Sequence, residues 1–289
     1  GCLRRQRNSY HEENIKVMSK QDKKIIEARN IDKSFDKHKV LGNISFSLNE
    51  GETLGIAGAS GSGKSTLSKI LVGIMEADSG EILFREEALP LIRKGRRDTA
   101  RFPIQMVFQN SKAAFNPRQT LAKSLSEVAL RHEKEFRKSA KESTDKSCSS
   151  KPTKETVKGK IEELLLQCEL DPDLLKRYPE QLSGGQLQRM AICRAMLTEP
   201  KVLIADEIIS ALDIPVQLEV MKTLKKMVDK NGMTLIFISH DLNAIGMMAE
   251  KTMVLSEGKL EFYDETRRLW ESENEVIKEL IRASRVISV

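Results

Sequence analysis

Gly58-Ala59-Ser60-Gly61-Ser62-Gly63-Lys64-Ser65-Thr66 sets three glycines ahead of a Lys-Ser-Thr run. Its glycines let consecutive backbone N–H groups turn inward around a β-phosphate, while Lys64 reaches the β/γ oxygens and the Ser65 hydroxyl meets Mg2+. The run entering it, Thr53-Leu54-Gly55-Ile56-Ala57, is apolar and of strand length, and after it Leu67, Ile70, Leu71 and Ile74 recur at helical spacing. Strand, loop and helix in that order place an anion at a helix N-terminus, where unpaired N–H groups and the helix dipole favour it. Gly58, Ser60, Gly61, Ser62, Gly63, Lys64, Ser65 and Thr66 are therefore expected to bind ATP.

Further along, Val202-Leu203-Ile204-Ala205 runs into Asp206-Glu207, an apolar strand ending in two carboxylates. Beside a phosphate loop this is what hydrolysis of Mg-ATP requires: Asp206 to hold Mg2+ through water, Glu207 to orient or deprotonate the attacking water. Gln109, closing Gln105-Met106-Val107-Phe108, is placed to reach both Mg2+ and that water. His240, in Ile238-Ser239-His240-Asp241, ends another apolar run where it can touch the γ-phosphate. Leu182-Ser183-Gly184-Gly185-Gln186 lies between these pieces, and Ser210-Ala211-Leu212-Asp213 follows the carboxylates. An Asp-Glu pair, a Gln or a His alone is commonplace; in this order with a phosphate loop and Leu-Ser-Gly-Gly-Gln they become specific.

The flanking segments set the layers. Residues 25–31 and the alternating Ile44-Ser45-Phe46-Ser47-Leu48 read as strands of an antiparallel layer, with a turn at Asn49-Glu50-Gly51-Glu52. Phe35, between them, is a candidate platform for stacking adenine. Residues 119–181 turn helical, with Ile161, Leu164, Leu165 and Cys168 on one face. Residues 138–160 are rich in Lys, Ser and Thr with little to bury, and read as a mobile surface insertion. The apolar runs at 202–205 and 235–238, with a helix carrying Leu218, Met221, Leu224 and Met227 between them, argue a parallel sheet. A hairpin is expected about Ser256-Glu257-Gly258-Lys259, then a helical tail over 264–289.

Composition bounds the function. The 289 residues are 39% hydrophobic, and the longest apolar runs fall far short of the ~20 residues of a membrane helix, so any pore belongs to another chain. Cys2, Cys148, Cys168 and Cys193 lack CxxC spacing and read as free thiols in a reducing compartment rather than a metal site. A net charge of +6 is spread thinly, and aromatic residues, at 4%, are too few to suggest platforms for stacking successive bases, so no nucleic-acid partner is expected. A basic surface facing anionic inner-leaflet lipid accounts for the charge better. Residues 1–24 read as a disordered extension, with Met18-Ser19-Lys20 a plausible start.

On these motifs residues 25–263 resemble the nucleotide-binding subunit of an ABC transporter. The resemblance implies an α/β fold: a P-loop NTPase, ABC-ATPase domain with a mostly parallel core sheet, an antiparallel β layer and a helical subdomain at about 115–195. It implies ATP and Mg2+ as cofactors, and two such subunits sandwiching ATP, so that Ser183, Gly184, Gly185, Gln186 and Asp213 serve nucleotide held at the subunit interface. Gln105-Met106-Val107-Phe108-Gln109-Asn110 followed by Asn116-Pro117-Arg118 is similar to the nickel and peptide importer branch. Ser111 stands where most of that branch has Pro, and Ile208-Ile209 where it has Pro-Thr, as in the second ATPase of nickel importers; the tail also lacks the Pro-His-Pro-Tyr-Thr-like ending of peptide importers. The implied partners are a non-identical second ATPase, two transmembrane permeases and an extracytoplasmic solute-binding protein, with the chain peripheral on the cytoplasmic face. A chelated metal or other solute, an exporter, and a non-transport ABC ATPase are the alternatives.

Overall fold

Thr53–Ala57 (β3), Val202–Asp206 (β7) and Thr234–Ile238 (β8) are short strands in which every residue is buried. Near-continuous apolar runs behave this way when both faces of a parallel sheet are covered. In the computed structural model, which describes residues 23–36, 38–89, 103–142 and 154–286, they form the middle of a six-stranded sheet. Ile104–Val107 (β6) and Lys251–Ser256 (β9) extend it on either side, and Lys259–Glu265 (β10) closes one edge, in the order β10-β9-β3-β8-β7-β6. Only the β9–β10 pair, the expected hairpin, is antiparallel.

A second, antiparallel sheet has the order β2-β1-β4-β5, built from Lys24–Phe35 (β1), His38–Asn49 (β2), Ser79–Phe84 (β4) and Glu87–Ala88 (β5). Its first two strands run well past residues 25–31 and 44–48. Register shifts between Ala28 and Ile31 and between Ile31 and Lys33 break the alternation that marks a strand in sequence, while the ladder continues to Phe35↔His38. Asn30 and Asn43 lie in the left-handed region at these irregularities, and Asn30 Nδ2 donates to Asn43 Oδ1 at 2.7 Å. Phe35 is thus the last residue of β1 rather than part of a loop.

The helices are Lys64–Leu71 (α1), Leu121–Glu142 (α2), Lys154–Gln167 (α3), Gly184–Met196 (α4), Ile214–Asn231 (α5), Leu242–Met248 (α6), Thr266–Leu269 (α7) and Glu275–Val286 (α8). Successive residues of β7 and β8 point to opposite faces, as the pleat requires. Leu203, Ala205, Leu235 and Phe237 join the core made with α2 to α6 and α8. Val202, Ile204, Ile236 and Ile238 join the core made with α1 and the antiparallel sheet. The parallel sheet is therefore the middle layer.

Four boundaries differ from expectation. Helix α1 ends at Leu71, and Ile74 lies beyond it, exposed. Lys24, placed in the N-terminal extension, begins β1 opposite Asn49; residues 1–22 lie outside the described residues. The stretch 138–160 is helical at both ends, in α2 to Glu142 and in α3 from Lys154, because Val157 finds a place in the core; 143–153 lies outside the described residues. The strand β10 runs to Glu265, so the helical tail begins at Thr266. Cys168 and Cys193 are free and buried; Cys2 and Cys148 lie outside the described residues.

Helix α6 sits directly on β3, since a Cβ on Gly55 would lie 2.6 Å from Ile245 Cγ2 and 2.9 Å from Ala249 Cβ. Gly55→Val is expected to lower the stability by about 1–3 kcal/mol through overpacking, read as a reduced urea midpoint. An unchanged midpoint would show that this glycine does not set the spacing of α6 on the sheet.

Candidate functional site

The register of four parallel strands aligns the sequence motifs. Ile238 pairs with Ile56 on one side and with Asp206 on the other, and Val107 pairs with Ala205. The residues just past each strand end therefore share one edge of the sheet: the phosphate loop after β3, His240 after β8, Glu207 after β7 and Gln109 after β6. Two backbone bonds carry the alignment beyond the strands, Ser239 N to Ile56 O at 3.2 Å and Glu207 N to Ile238 O at 3.0 Å. Ligands of open α/β sheets bind at this carboxyl edge.

Gly58 and Gly63 take φ of 148° and 102°; a Cβ on Gly58 would lie 2.2 Å from Leu255 O, and one on Gly63 2.7 Å from Val40 O. No L side chain fits either place, so the loop holds its inward turn. Lys64 begins α1 with its side chain buried and Nζ donating to Gly58 O and Ala59 O, each at 2.8 Å. The ammonium is thus tied into the loop that surrounds it. Burial pushes its pKa down, and the Glu207 and Asp206 carboxylates oppose the shift. Ser62 Oγ is buried and, among the described residues, has no hydrogen-bond partner.

Ser68, which the motif reading passed over, joins the loop to the carboxylate strand. Its fully buried Oγ lies 3.0 Å from Ser65 O and 3.2 Å from Asp206 Oδ2, so one proton serves two acceptors. The available signal was a polar residue one turn beyond Lys64 among the buried Leu67, Ile70 and Leu71. Asp206 Oδ1 is buried with no hydrogen-bond partner among the described residues, and burial, more than the neighbouring Glu207 charge, raises the carboxyl pKa. An orphaned carboxylate oxygen beside the Ser65 hydroxyl, with the Gln109 amide on the same sheet edge, is an all-oxygen donor set that suits Mg2+.

Glu207 has φ 48°, in the left-handed region, a conformation uncommon outside glycine and one that gathers at functional sites. Its carbonyl accepts from Ser210 N at 3.3 Å and from Ser210 Oγ at 3.0 Å, and Gln109 Nε2 donates to the same Oγ at 3.0 Å. His240 is exposed next to buried Ser239, whose Oγ accepts from Asp241 N at 3.0 Å.

The 182–186 motif is placed elsewhere, at the N-terminus of α4, which packs on α5, α3, β6 and the short 3-10 turn Ser111–Ala114, whereas α1 packs on β2 and β7. Ser183 caps α4 reciprocally: its Oγ accepts from Gln186 N at 3.3 Å, and Gln186 Oε1 accepts from Ser183 N at 3.1 Å. Gly184 is exposed, while Gly185 is buried where a Cβ would meet Val216 Cγ1 at 2.4 Å, so its smallness serves the contact of α4 with α5. Asp213 is the exposed N-cap residue of α5. Phe35 is 43% exposed, with Lys33 Nζ 5.5 Å from its ring centre. Ser111 Oγ donates to Gln188 Oε1, linking the segment after Gln109 to α4.

Residues 41–210 match the family described as ABC transporter. The chain belongs to that family. As a member it binds ATP and carries ATPase activity. It is 39% identical over 221 residues to a nickel import ATP-binding protein, NikE, of Escherichia coli, covering 76% of each chain. It is 36% identical over 241 residues to an oligopeptide transport ATP-binding protein, OppF, of Haemophilus influenzae, covering 79% of this chain and 66% of that one. Among solved structures, cbiO1 of Clostridium perfringens, part of the ABC transporter complex cbiONQ, superposes with a TM-score of 0.71 at 25% identity over 93% of this chain and all of the other.

The Asp206 carboxyl gives a pH prediction. A carboxyl whose folded pKa is raised contributes stability that is present at low pH and lost as the pH rises through that value. In buffer free of nucleotide and divalent metal, Asp206→Asn is expected to raise the melting temperature at pH 7, with the gain fading as acid protonates the wild-type carboxyl. A wild type more stable than Asp206→Asn at pH 7 would mean that the buried charge is not a cost.

Proposed function

We propose that this chain is the ATP-hydrolysing subunit of an importer that energises uptake of nickel or small peptides. The observation that carries the reading is the shared sheet edge, where Lys64, Asp206, Glu207, Gln109 and His240 follow the ends of adjacent parallel strands. The phosphate loop and Lys64 bind the β- and γ-phosphates, and Phe35 stacks the adenine. Ser65, Gln109 and Asp206 hold Mg2+, which when bound neutralises charge on the β/γ oxygens. Glu207 takes the proton of the attacking water, and His240 contacts the γ-phosphate. Ser183 and Gly184, with Gly185 and Gln186 shaping the helix end and Asp213 beside them, complete the site of a second, non-identical ATPase subunit, so ATP closes the pair and hydrolysis reopens it.

The cargo rests on kinship to nickel and oligopeptide import ATP-binding proteins and on the sequence branch. No helix among the described residues is long and apolar enough to cross a membrane. The reading therefore places two permease subunits and an extracytoplasmic solute-binding protein alongside this chain, docked peripherally at the cytoplasmic face.

Two measurements check this. Glu207→Gln should bind ATP while hydrolysing it roughly a hundred- to ten-thousandfold more slowly, the usual contribution of a general base; wild-type turnover by this variant would remove Glu207 from the role. Accumulation of radiolabelled nickel in cells lacking the chain should recover with wild type and stay low with Glu207→Gln. Nickel uptake unaffected by loss of the chain would move the cargo to peptides or a chelated metal.

A further inference from the structure

We propose that Ser210 is a positioning residue that orients the Gln109 side-chain amide, so that its carbonyl Oε1, and not its NH2, is offered to the divalent cation of bound ATP. The inference rests on the ATPase reading above and deepens it. A serine hydroxyl has one proton. In Ser210 that proton goes to Glu207 O at 3.0 Å, leaving only lone pairs for any further partner. The turn that imposes this is fixed independently: Glu207 holds φ 48°, its N donates to Ile238 O at 3.0 Å, and Ser210 N also reaches Glu207 O at 3.3 Å.

Gln109 meets this hydroxyl with Nε2, at 3.0 Å, the one end of its amide that can donate. Flipping the amide would set Oε1 against a hydroxyl whose proton is already engaged by Glu207 O and turn two N–H groups toward a cation. Both halves of the flip are unfavourable, so the serine selects the orientation useful for metal binding. The Gln109 amide nitrogen is engaged by Ser210 Oγ, and the residue is otherwise exposed between Phe108 and Asn110, both exposed. Two residues on, Ser111 anchors the segment to buried Gln188. The backbone is thus held from one side and the side chain from the other, and a single hydroxyl links a candidate metal ligand to the candidate base.

The test is Mn2+ affinity, read by electron paramagnetic resonance, of the full chain with a non-hydrolysable ATP analogue. Ser210→Ala is expected to weaken Mn2+ binding roughly fivefold, the worth of one ordinary hydrogen bond. Ser210→Thr, which keeps the hydroxyl, should restore it. In a Gln109→Ala background Ser210→Ala should add nothing, because the serine acts only through the amide. If Ser210→Ala does not fold, Ser210→Cys, with a poorer acceptor, reads the same weakening. Unchanged Mn2+ affinity in Ser210→Ala, or an equal loss in the Gln109→Ala background, overturns the proposal alone. A wild-type chain that holds no Mn2+ beyond the analogue itself overturns both the proposal and the ATPase reading beneath it.

Discussion

Strand β8 pairs in parallel with β3 on one side and β7 on the other, and everything proposed for this chain depends on that register. Ile238 faces both Ile56 and Asp206, so the phosphate loop and the carboxylate pair emerge side by side from strands far apart in sequence. A slip of one residue would turn Ile236 and Ile238 toward the wrong core and carry Asp206 away from the loop. The register is protected by hydrophobic burial on both faces: each residue of β3, β7 and β8 is buried. Packing thus fixes the positions of charges that packing alone would disfavour.

Those charges are where local and global preferences conflict. Asp206 and Lys64 lie in surroundings that penalise ionisation, Asp206 Oδ1 and Ser62 Oγ lack protein partners among the described residues, and Glu207 adopts a left-handed backbone. Such costs are tolerated when the rest of the fold over-determines the geometry, and they cluster where a polar ligand supplies the missing partners. The structure also joins two segments of this edge through Gln109 and Ser210, and ties the edge to the helical layer through Ser111 and Gln188. The 182–186 motif lies on that layer, at the start of a separate helix, consistent with a motif that serves another subunit's nucleotide.

Much of this was legible in the sequence, for reasons that differ by residue. The phosphate loop, the strand ending in Asp206-Glu207 and the hairpin at 256–259 have local signatures, because glycine conformation, apolar run length and turn chemistry act within a few residues. The ends of β1 and β2 were not legible, since bulges near Asn30 and Asn43 break the alternation that a period-2 reading needs. The helical ends of the 138–160 stretch were hidden by a composition rich in Lys and Ser. Ser68 and Ser210 were invisible as partners because their roles exist only once β7 lies beside α1 and β6 beside β7. That Gly185 packs against Val216 is likewise a fact of two helices meeting, which no motif records.

Anomalous scattering of Mn2+ in crystals grown with a non-hydrolysable ATP analogue would locate the cation relative to the strand ends. A site built by strand register gives a single strong peak about 2.1 Å from Ser65 Oγ, with Asp206 in its coordination sphere directly or through one water and the β- and γ-phosphates seated in the loop ahead of α1. A peak away from Ser65 and Asp206, or an analogue bound outside the phosphate loop, would contradict the claim that strand register builds the hydrolytic site.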